Sequence, residues 1–350
     1  MTAMRLLIVG TGSMAKAHAL AFAAEPDIQI VAAVEPNPER LGMFAAEHDI
    51  PNHFPSLDEA IAWGQFDAAA NVTPDSVHYT TTMQLIRAGK DVFCEKPLAT
   101  DYPHARDMAD AADAAGIMNM VNLTYRSSPA VQKAREIILF GEIGALRHFE
   151  ASYLQSWLVG KHWGDWETED RWLWRLSSAH GSKGVLGDVG IHVLDFATFA
   201  AASDVSSLSS RLKTFHKAPD DRIGDYTLDA NDSVVITAEL ANGALGPIQA
   251  TRWATGNLND IRLSLYCDNG ALRVMTDGRF SSLSLCAGMD VHTQTWREIE
   301  CPPVPTNYQR FAAAMRSRIN GEPDFRRGAA LQQVLDLSFD ADGLGILKVD

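Results

Sequence analysis

The first third of the chain alternates short apolar runs with longer amphipathic segments. The apolar runs are rich in β-branched residues and the amphipathic segments have helical length, a pattern typical of βαβ units around a parallel sheet. Helix-capping signals support this interpretation. For example, Ser56 and Glu59 have the three-residue spacing of a capping box at the start of a helix. The predicted strands cover residues 6–9, 28–34, 66–72, 92–94 and 117–121. We therefore predict a first domain of the α/β class over residues 1–122.

Beyond residue 122 the pattern changes to runs in which apolar and polar residues alternate, and turn residues separate these runs. A helix that begins at residues 128–129 is predicted to end at Gly141, and a second helix is predicted over 185–201. Alternating runs end at turn pairs such as Asn242 with Gly243, which is typical of β-hairpins. The predicted strands cover residues 146–153, 234–240, 261–266 and 272–275. We therefore predict a second, α+β domain over residues 123–350 with a mostly antiparallel sheet.

Composition and charge exclude several classes of protein. With 44 acidic and 30 basic residues the formal net charge is −14, which disfavours nucleic acid and membrane surfaces as partners. Hydrophobic residues make up 46% of the chain, as in soluble globular proteins. The four cysteines show no paired spacing, so we expect neither a metal site nor disulfides, and a cytoplasmic location fits best. The first apolar run is too short for an export signal.

A glycine-rich turn directly follows the first predicted strand and opens a helix. Residues 10–15 have the spacing G-x-G-x-x-A, in which the first glycine makes a tight turn and the second lets the backbone approach a pyrophosphate. The expected cofactor contacts on this turn are Gly10, Gly12, Ser13 and Met14. Taken alone, this spacing is also compatible with an ordinary glycine turn.

A carboxylate at the end of the second predicted strand indicates which dinucleotide binds. Glu35 lies about twenty residues after the glycine turn, where an acidic side chain accepts hydrogen bonds from the ribose hydroxyls of adenosine. Because a carboxylate repels the 2′-phosphate of NADP, we expect NAD. Arg40 weakens that preference, so NADP stays open as an alternative.

Two polar motifs follow later strands of the first domain, where α/β sheets place ligands. Residues 71–78 end in His78, which is either a ligand-facing group or a packing residue of the helix that begins there. Residues 92–98 place Lys96 directly after an apolar strand and before Pro97, which rigidifies the turn. The alternative for Glu95 and Lys96 is a surface ion pair.

A polar stripe marks the predicted helix over residues 185–201. Asp188 and His192 are four residues apart and Asp195 is seven beyond Asp188, so α-helical spacing puts all three on one face. The remaining positions are apolar, and a polar stripe on such a helix faces either water or a functional cleft. A buried histidine satisfied by Asp188 is the structural alternative.

In these blocks the chain resembles the Gfo/Idh/MocA family of NAD(P)-dependent oxidoreductases, which includes inositol and sugar dehydrogenases. The shared blocks are the glycine turn at 10–15, T-P-x-x-x-H at 73–78, E-K-P at 95–97 and G-D-x-G-x-H-x-x-D at 187–195. The resemblance implies a Rossmann domain and an α+β domain with a large, mostly antiparallel sheet, with the active site between them. It also implies a homo-oligomer, a dimer or tetramer, and often a cis peptide bond before Pro97.

The resemblance also implies roles for single residues. Lys96 and His192 would be the catalytic pair, with Asp188 beside them. The further cofactor contacts expected are Thr73, Pro74, His78, Glu95 and Lys96. Apart from what the resemblance implies, Arg126, Tyr153, Trp174 and Arg175 are candidates for substrate contacts, so the expected set is Lys96, Arg126, Tyr153, Trp174, Arg175, Asp188 and His192.

These features predict an NAD-dependent oxidoreductase that acts on a secondary alcohol or ketone of a sugar, glycoside or inositol-like polyol. The imidazole of His192 suits proton transfer because the reference pKa of histidine is about 6.5. Lys96 would hold the hydroxyl and stabilise the developing alkoxide. Two alternatives stay open: a hydrolase that cleaves glycosides through transient oxidation by bound NAD, and a non-catalytic NAD-binding regulator.

A segment over residues 154–182 is rich in tryptophan and lacks a regular pattern. Five of the eight tryptophans of the chain lie there: Trp157, Trp163, Trp166, Trp172 and Trp174. A segment of this length is too long for a simple connection. It is either a small satellite core or a lid whose tryptophan faces receive the C–H faces of a sugar ring. On the second interpretation, we predict that it borders the substrate cleft.

Overall fold

The computed structural model of the protein describes residues 3–349, which divide into two compact units. The first unit comprises residues 3–124 with 305–332, and the second comprises 125–304 with 333–349. Within this part of the chain no helix has both the length and the apolarity needed to cross a membrane. The chain therefore leaves the first unit after residue 124 and returns to it at residue 305.

A parallel sheet forms the centre of the first unit. Its strands are β1 (Met4–Val9), β2 (Ile28–Val34), β3 (Asn52–Phe54), β4 (Ala68–Asn71), β5 (Asp91–Cys94) and β6 (Asn119–Val121). The helices that alternate with them are α1 (Ser13–Ala23), α2 (Pro38–Glu47), α3 (Leu57–Trp63), α4 (Asp75–Arg87) and α5 (Tyr102–Ala115). The described strands run in the order β3-β2-β1-β4-β5-β6, and neighbours are parallel. This order confirms the predicted α/β class and reverses between β1 and β4, where such sheets bind ligands.

A mixed sheet forms the centre of the second unit. Its strands are β7 (Leu146–Gln155), β8 (Val205–Lys213), β9 (Arg222–Ile223), β10 (Tyr226–Thr227), β11 (Ser233–Leu240), β12 (Leu245–Thr251), β13 (Asn259–Cys267), β14 (Gly270–Thr276), β15 (Ser281–Ala287), β16 (Arg297–Ile299) and β17 (Leu347–Lys348). Over the described residues the sheet runs β16-β15-β14-β13-β7-β12-β11-β8-β17, while β9 and β10 form a separate hairpin. Neighbours are antiparallel apart from β7 and β12, which confirms the predicted, mostly antiparallel sheet.

Two longer helices pack against the sheet of the second unit. The two longer helices are α6 (Pro129–Phe140) and α8 (Ile191–Ala200), and the unit also has the short helices α7 (Asp170–Leu173) and α9 (Asp290–Thr293). α8 contacts the central strands β7, β12 and β13, and α6 contacts β14 and β15. All residues of α8 are buried. The predicted polar stripe therefore lies on a helix at the centre of this unit.

Residues 305–332 complete the first unit rather than the second. α10 (Asn307–Ser317) places Phe311 in the core, where its ring packs against Phe22 and Phe93. α11 (Phe325–Asp340) begins in the first unit and ends in the second. The sequence prediction assigns all of residues 123–350 to the second domain, because an amphipathic helix pattern does not show which partner the helix packs against.

Candidate active site

The glycine turn between β1 and α1 is closely packed at Gly10 and exposed at Gly12. Gly10 has a φ of +91°, and a Cβ there would lie 2.8 Å from the carbonyl oxygen of Val72. A Cβ at Gly12, by contrast, would meet no described atom within 4 Å. Ser13 and Met14 are exposed in the first turn of α1, and no side chain among residues 3–349 caps that helix. Gly12, Ser13 and Met14 are therefore exposed at the start of α1, which suits phosphate binding at a helix N-terminus.

Glu35 lies at the end of β2 and binds the glycine turn. Its Oε2 accepts hydrogen bonds from the amide and the hydroxyl of Thr11, at 3.3 and 3.1 Å, and its Oε1 accepts one from the amide of Asn37 at 3.1 Å. The Arg40 guanidinium lies 3.5 Å from Oε2. Because a carboxylate offers about four acceptor sites, Glu35 keeps capacity for a ribose hydroxyl. The open helix terminus and this carboxylate together fit a dinucleotide.

The motif after β4 is held by buried hydrogen bonds. Asn71 accepts a hydrogen bond of 2.7 Å from the hydroxyl of Thr73. His78, in the first turn of α4, is 1% exposed, and its two ring nitrogens lie 2.8 Å from the carbonyl oxygens of Thr73 and Pro97. Burial by itself lowers the pKa of His78, but the neighbouring Cys94 sulfur and the two carbonyls raise it to about 9. Both ring nitrogens of His78 are thus used in contacts within the first unit, and its contact with the cofactor stays a prediction.

Glu95 is buried in a network rather than in a surface ion pair. Its Oε1 lies 2.7 Å from His18 Nε2 and accepts a hydrogen bond of 2.7 Å from the Asn122 amide group. Its Oε2 accepts a hydrogen bond of 3.1 Å from the backbone amide of Lys96. Burial by itself raises the pKa of Glu95, but His18, Asn122 and Lys96 lower it to about 2. Glu95 therefore anchors the Lys96 backbone, and its contact with the cofactor stays a prediction.

The Lys96 turn lies at the same sheet edge as the other cofactor motifs. Lys96 follows β5 and is half-buried, and the peptide bond between it and Pro97 is cis, as the resemblance implies. Thr73 and Pro74 follow the neighbouring strand β4, and the glycine turn follows β1, which pairs with β4. Because these strands are parallel, all three turns come from carboxyl ends. The first unit thus brings together the predicted contacts of three separate motifs.

In the second unit, Asp188 and His192 lie on a helix that begins with a π-helical turn, Leu186–Gly190. Asn231 holds the start of this helix, because its backbone and side-chain oxygens accept hydrogen bonds from the amides of Val185 and Leu186, at 2.8 and 3.1 Å. Gly184, with a φ of +66°, lies so close to Asn231 that a Cβ would come within 2.3 Å of its side chain. Such π turns frequently occur at functional sites. The sequence predicted the helix but not this turn.

Asp195 has a different environment from Asp188. Its two carboxylate oxygens each accept a hydrogen bond of 2.7 Å from the Arg126 guanidinium, and both side chains are almost completely buried. The guanidinium also lies 3.8 Å from the ring centroid of Phe199. The π turn widens the helix, so α-helical spacing does not hold across it. The prediction of a single stripe is therefore corrected. Arg126 takes part in the packing of this unit, and its contact with the substrate stays a prediction.

A fully buried arginine pairs with Asp188. Arg252, directly after β12, donates hydrogen bonds to Oδ2 of Asp188 at 3.0 Å and to the carbonyl of Arg175 at 3.1 Å. The guanidinium of Arg175 lies 3.6 Å from the same Asp188 oxygen. Burial lowers the pKa of Arg252, and the Asp188 carboxylate opposes that shift. Two cations of its own unit therefore orient and balance the Asp188 charge.

Two tyrosine rings pack against the imidazole of His192. The ring centroids of Tyr125 and Tyr153 lie 5.1 and 6.4 Å from that of His192. Their hydroxyls are 2.6 Å apart and form a closed cycle with Asn259, whose amide donates to Tyr125 at 3.0 Å and whose oxygen accepts from Tyr153 at 2.7 Å. Burial raises the pKa of both phenols, so at neutral pH they are hydrogen-bonding groups and not acids. The structure thus places the predicted Tyr153 beside His192.

The tryptophan segment contains both a core and an exposed ring. Trp157 and Trp166 are buried in a cluster with four leucines. Trp174 is 39% exposed, and the Arg175 guanidinium lies 4.5 Å from its ring centroid. Because Arg175 also approaches Asp188, the exposed end of the segment adjoins the Asp188 carboxylate. The satellite-core interpretation therefore describes the two buried rings, and Trp174 stays a candidate substrate contact.

Sequence reasoning missed four residues that hold these groups: His18, Asn231, Arg252 and Asn259. One of them, Arg252, could have been recognised from the sequence pattern. Along β12, Ile248 and Ala250 alternate inward, and Arg252 occupies the next inward position. A charged residue at an inward position requires a buried partner. The partner itself, Asp188, is not identifiable from the pattern because it is 64 residues away along the chain.

Two family models match the chain. The model of an oxidoreductase family with an NAD-binding Rossmann fold matches residues 4–123, and the model of the GFO/IDH/MocA C-terminal domain matches residues 131–273. These matches cover parts of both units. The predicted Rossmann fold and NAD cofactor are thereby confirmed.

Named relatives are dehydrogenases and reductases. Levoglucosan dehydrogenase of Pseudarthrobacter phenanthrenivorans is 30% identical over 287 residues, which cover 76% of this chain and 72% of the relative. The 1,5-anhydro-D-fructose reductase of Ensifer adhaerens is 26% identical over 322 residues, covering 90% and 87%. A solved structure of levoglucosan dehydrogenase in complex with NADH has a TM-score of 0.88 and 25% identity, covering 100% of both chains. None of these three names supports a hydrolase or a non-catalytic regulator.

Proposed function

We propose that this chain, which belongs to the Gfo/Idh/MocA oxidoreductase family, oxidises a secondary hydroxyl of a sugar, glycoside or cyclic polyol, or reduces the ketone. The family has an NAD-binding Rossmann fold. The observation that carries this proposal is the anchored Lys96, whose backbone amide is bound by the buried Glu95 carboxylate at the cofactor edge of the sheet. Two relatives named for levoglucosan and 1,5-anhydro-D-fructose support a cyclic carbohydrate as substrate.

Lys96 and His192 have different roles in this reaction: Lys96 stabilises charge and His192 transfers a proton. When bound, the nicotinamide supplies the acceptor or donor of the hydride. Lys96 binds the reacting oxygen and stabilises its developing negative charge, as a positioned cation does in a water-poor site. His192 accepts the hydroxyl proton on oxidation and returns it on reduction, since an imidazole exchanges protons near neutral pH.

The groups around His192 orient it and the substrate. The Tyr125 and Tyr153 rings restrict the imidazole plane, and their hydroxyls remain neutral hydrogen-bonding groups. Asp188, held by Arg252 and Arg175, contributes a fixed negative charge on the helix of His192. Trp174, which is 39% exposed beside Arg175, contributes apolar surface for the C–H groups of a sugar ring. We further propose a cytoplasmic homo-oligomer, a dimer or tetramer.

The experiment that tests this function is a panel of sugars, glycosides and polyols, followed by NADH absorbance. A general acid or base contributes about 10² to 10⁴ in rate, so Lys96→Met and His192→Ala should each lose at least that much kcat while still binding NAD. Arg262→Met is the matched control for Lys96→Met, because Arg262 pairs with Asp260 on the surface. Near-normal turnover by either site variant contradicts its assigned role. Release of an aglycone without net NADH would favour a hydrolase instead.

A further inference from the structure

Two buried histidines lie on either side of the turn that carries Lys96. His18, on α1, reaches the Glu95 side chain, and His78, on α4, reaches the Pro97 carbonyl. Neither histidine is more than 1% exposed. We propose that His18 and His78 are a pair of positioning residues that fix Lys96 from both sides. This inference rests on the proposed function in assigning the chemistry to Lys96.

On the first side, His18 acts through Glu95. The Oε1 of Glu95 lies between His18 Nε2 and the Asn122 amide group, each at 2.7 Å. These two groups leave Oε2 directed to the backbone amide of Lys96, at 3.1 Å. A carboxylate only accepts hydrogen bonds, so His18 donates from Nε2. The rings of Phe22, Phe93 and Tyr308 pack around His18 and hold its plane.

On the second side, His78 joins two carbonyl oxygens. Its Nδ1 lies 2.8 Å from the oxygen of Pro97, and its Nε2 lies 2.8 Å from the oxygen of Thr73. Carbonyl oxygens only accept hydrogen bonds, so each ring nitrogen must carry a proton. A neutral imidazole has one N–H and would face the other carbonyl with a lone pair. His78 is therefore an imidazolium that binds the residue after Lys96 to the turn after β4 through two charge-assisted hydrogen bonds.

The two histidines come from the helices that begin at the cofactor motifs. His18 lies on α1, which starts at the glycine turn, and His78 lies on α4, which starts after Thr73 and Pro74. Lys96 is thus attached to the same two helices whose first turns are expected to bind the dinucleotide. A displacement of about 1 Å in a reacting group costs roughly 10²-fold in rate. The effect of loosening the turn should therefore appear in kcat.

Leucine and glutamine variants test the positioning role. His18→Leu removes the donor to Glu95 and should lower kcat by about 10- to 10²-fold, whereas His18→Gln retains a donor and should restore most of it. His78→Leu should lower kcat similarly, and His78→Gln, which can satisfy one carbonyl, should fall between. In all four variants, KM for the carbohydrate and the Kd for NAD should stay near the wild-type values. His48→Leu and His48→Gln, at the end of α2 against Phe44, are the matched controls and should leave kcat unchanged.

Two measurements on the protein without substrate separate this inference from the proposed function. Nitrogen-15 resonances should show both His78 nitrogens protonated at pH 7.5, and a neutral tautomer would overturn the doubly donating assignment. Amide hydrogen exchange of Lys96 should be faster in His18→Leu than in wild type and unchanged in His48→Leu; equal exchange overturns the role of His18. Absence of turnover on every carbohydrate defeats the proposed function alone. Normal kcat in folded leucine variants of a working enzyme defeats the positioning role alone.

Discussion

The Glu35 carboxylate accepts hydrogen bonds from Thr11 in the glycine turn while it keeps capacity for a ribose hydroxyl. The same principle recurs at Asp188, which is held by Arg252 while lying on the helix of His192. At both positions a charged group is oriented by partners of its own unit. At the scale of single residues, the candidate site is therefore built from side chains whose orientation does not depend on a ligand.

Replacing Glu35 by Ser should weaken NAD binding and narrow the difference between NAD and NADP. A hydrogen bond to a charged group is worth about 1.5 to 3 kcal/mol, which corresponds to a loss of roughly 10- to 10²-fold in affinity. Fluorescence titration with both nucleotides measures this, and the melting temperature reports any loss of the turn. Arg40→Ala is the control, since it removes the nearby cation and should weaken NADP more than NAD. Tighter binding of NADP than NAD by the wild type contradicts the prediction.

The buried charge of His78 should make stability depend on alkaline pH. Its pKa is about 9 in the folded protein against an ordinary 6.5, so its contribution is complete below pH 6.5 and is lost as the pH rises through 9. The contribution is on the order of 3 kcal/mol. Urea unfolding at pH 6.5 and 9.5 should show a larger loss of unfolding free energy in the wild type than in His78→Gln. Equal losses in the two proteins would exclude the raised pKa.

At the scale of secondary structure, the sequence pattern predicted those helices and strands in which apolar residues recur with a clear helical or strand spacing. Residues 28–34 match β2 (Ile28–Val34), because five of its seven residues are buried. β8 (Val205–Lys213) was missed because serines occupy four of its nine positions. The predicted helix over 185–201 is present, but the π turn inside it depends on Asn231, which binds it from elsewhere in the chain.

The same limit applies to the candidate site. Motif spacing identified Lys96, Asp188 and His192, since these residues lie in short local blocks. It did not identify the groups that hold them, because His18 and Glu95 are 77 residues apart and come together only through the sheet. The pair of Arg126 with Asp195 was missed for the same reason, since the two residues are 69 positions apart.

The tryptophan segment should separate into rings that matter for binding and rings that matter for folding. Trp174→Ala should raise KM for the carbohydrate with little change in melting temperature, because the ring is 39% exposed. Trp157→Ala should cost about 3 to 5 kcal/mol, because that ring is buried in the leucine cluster. Kinetics and thermal melting of the two variants distinguish the cases. An unchanged KM in Trp174→Ala would remove that residue from the substrate contacts.

At the scale of the whole molecule, the second unit has a sheet with one helix-covered face and one open face. Val235, Leu245 and Met275 project from strands of this sheet and are 41% to 51% exposed. Val235 and Leu245 lie on the paired strands β11 and β12, and Met275 lies on β14, which β13 and β7 separate from them. This face is the surface through which the proposed dimer or tetramer would form.

Light scattering during gel filtration tests the oligomer. The wild type should elute with the mass of a dimer or tetramer, and the double variant Val235→Glu with Leu245→Glu should shift toward the monomer because it places charges on the open face. Leu139→Glu, on the exposed end of α6, is the control and should leave the mass unchanged. A monomeric wild type at micromolar concentration would contradict the proposed assembly.

The return of residues 305–332 to the first unit has a consequence for synthesis on the ribosome. Phe22 and Phe93 emerge early, but Phe311, which covers them, is made only after the whole of residues 125–304. At about 5 to 20 residues per second, the nascent first unit waits roughly 10 to 40 s for its last core residues. During that interval the aromatic face formed by Phe22 and Phe93 lacks its cover, while residues 125–304 already contain every described strand of the second unit except β17.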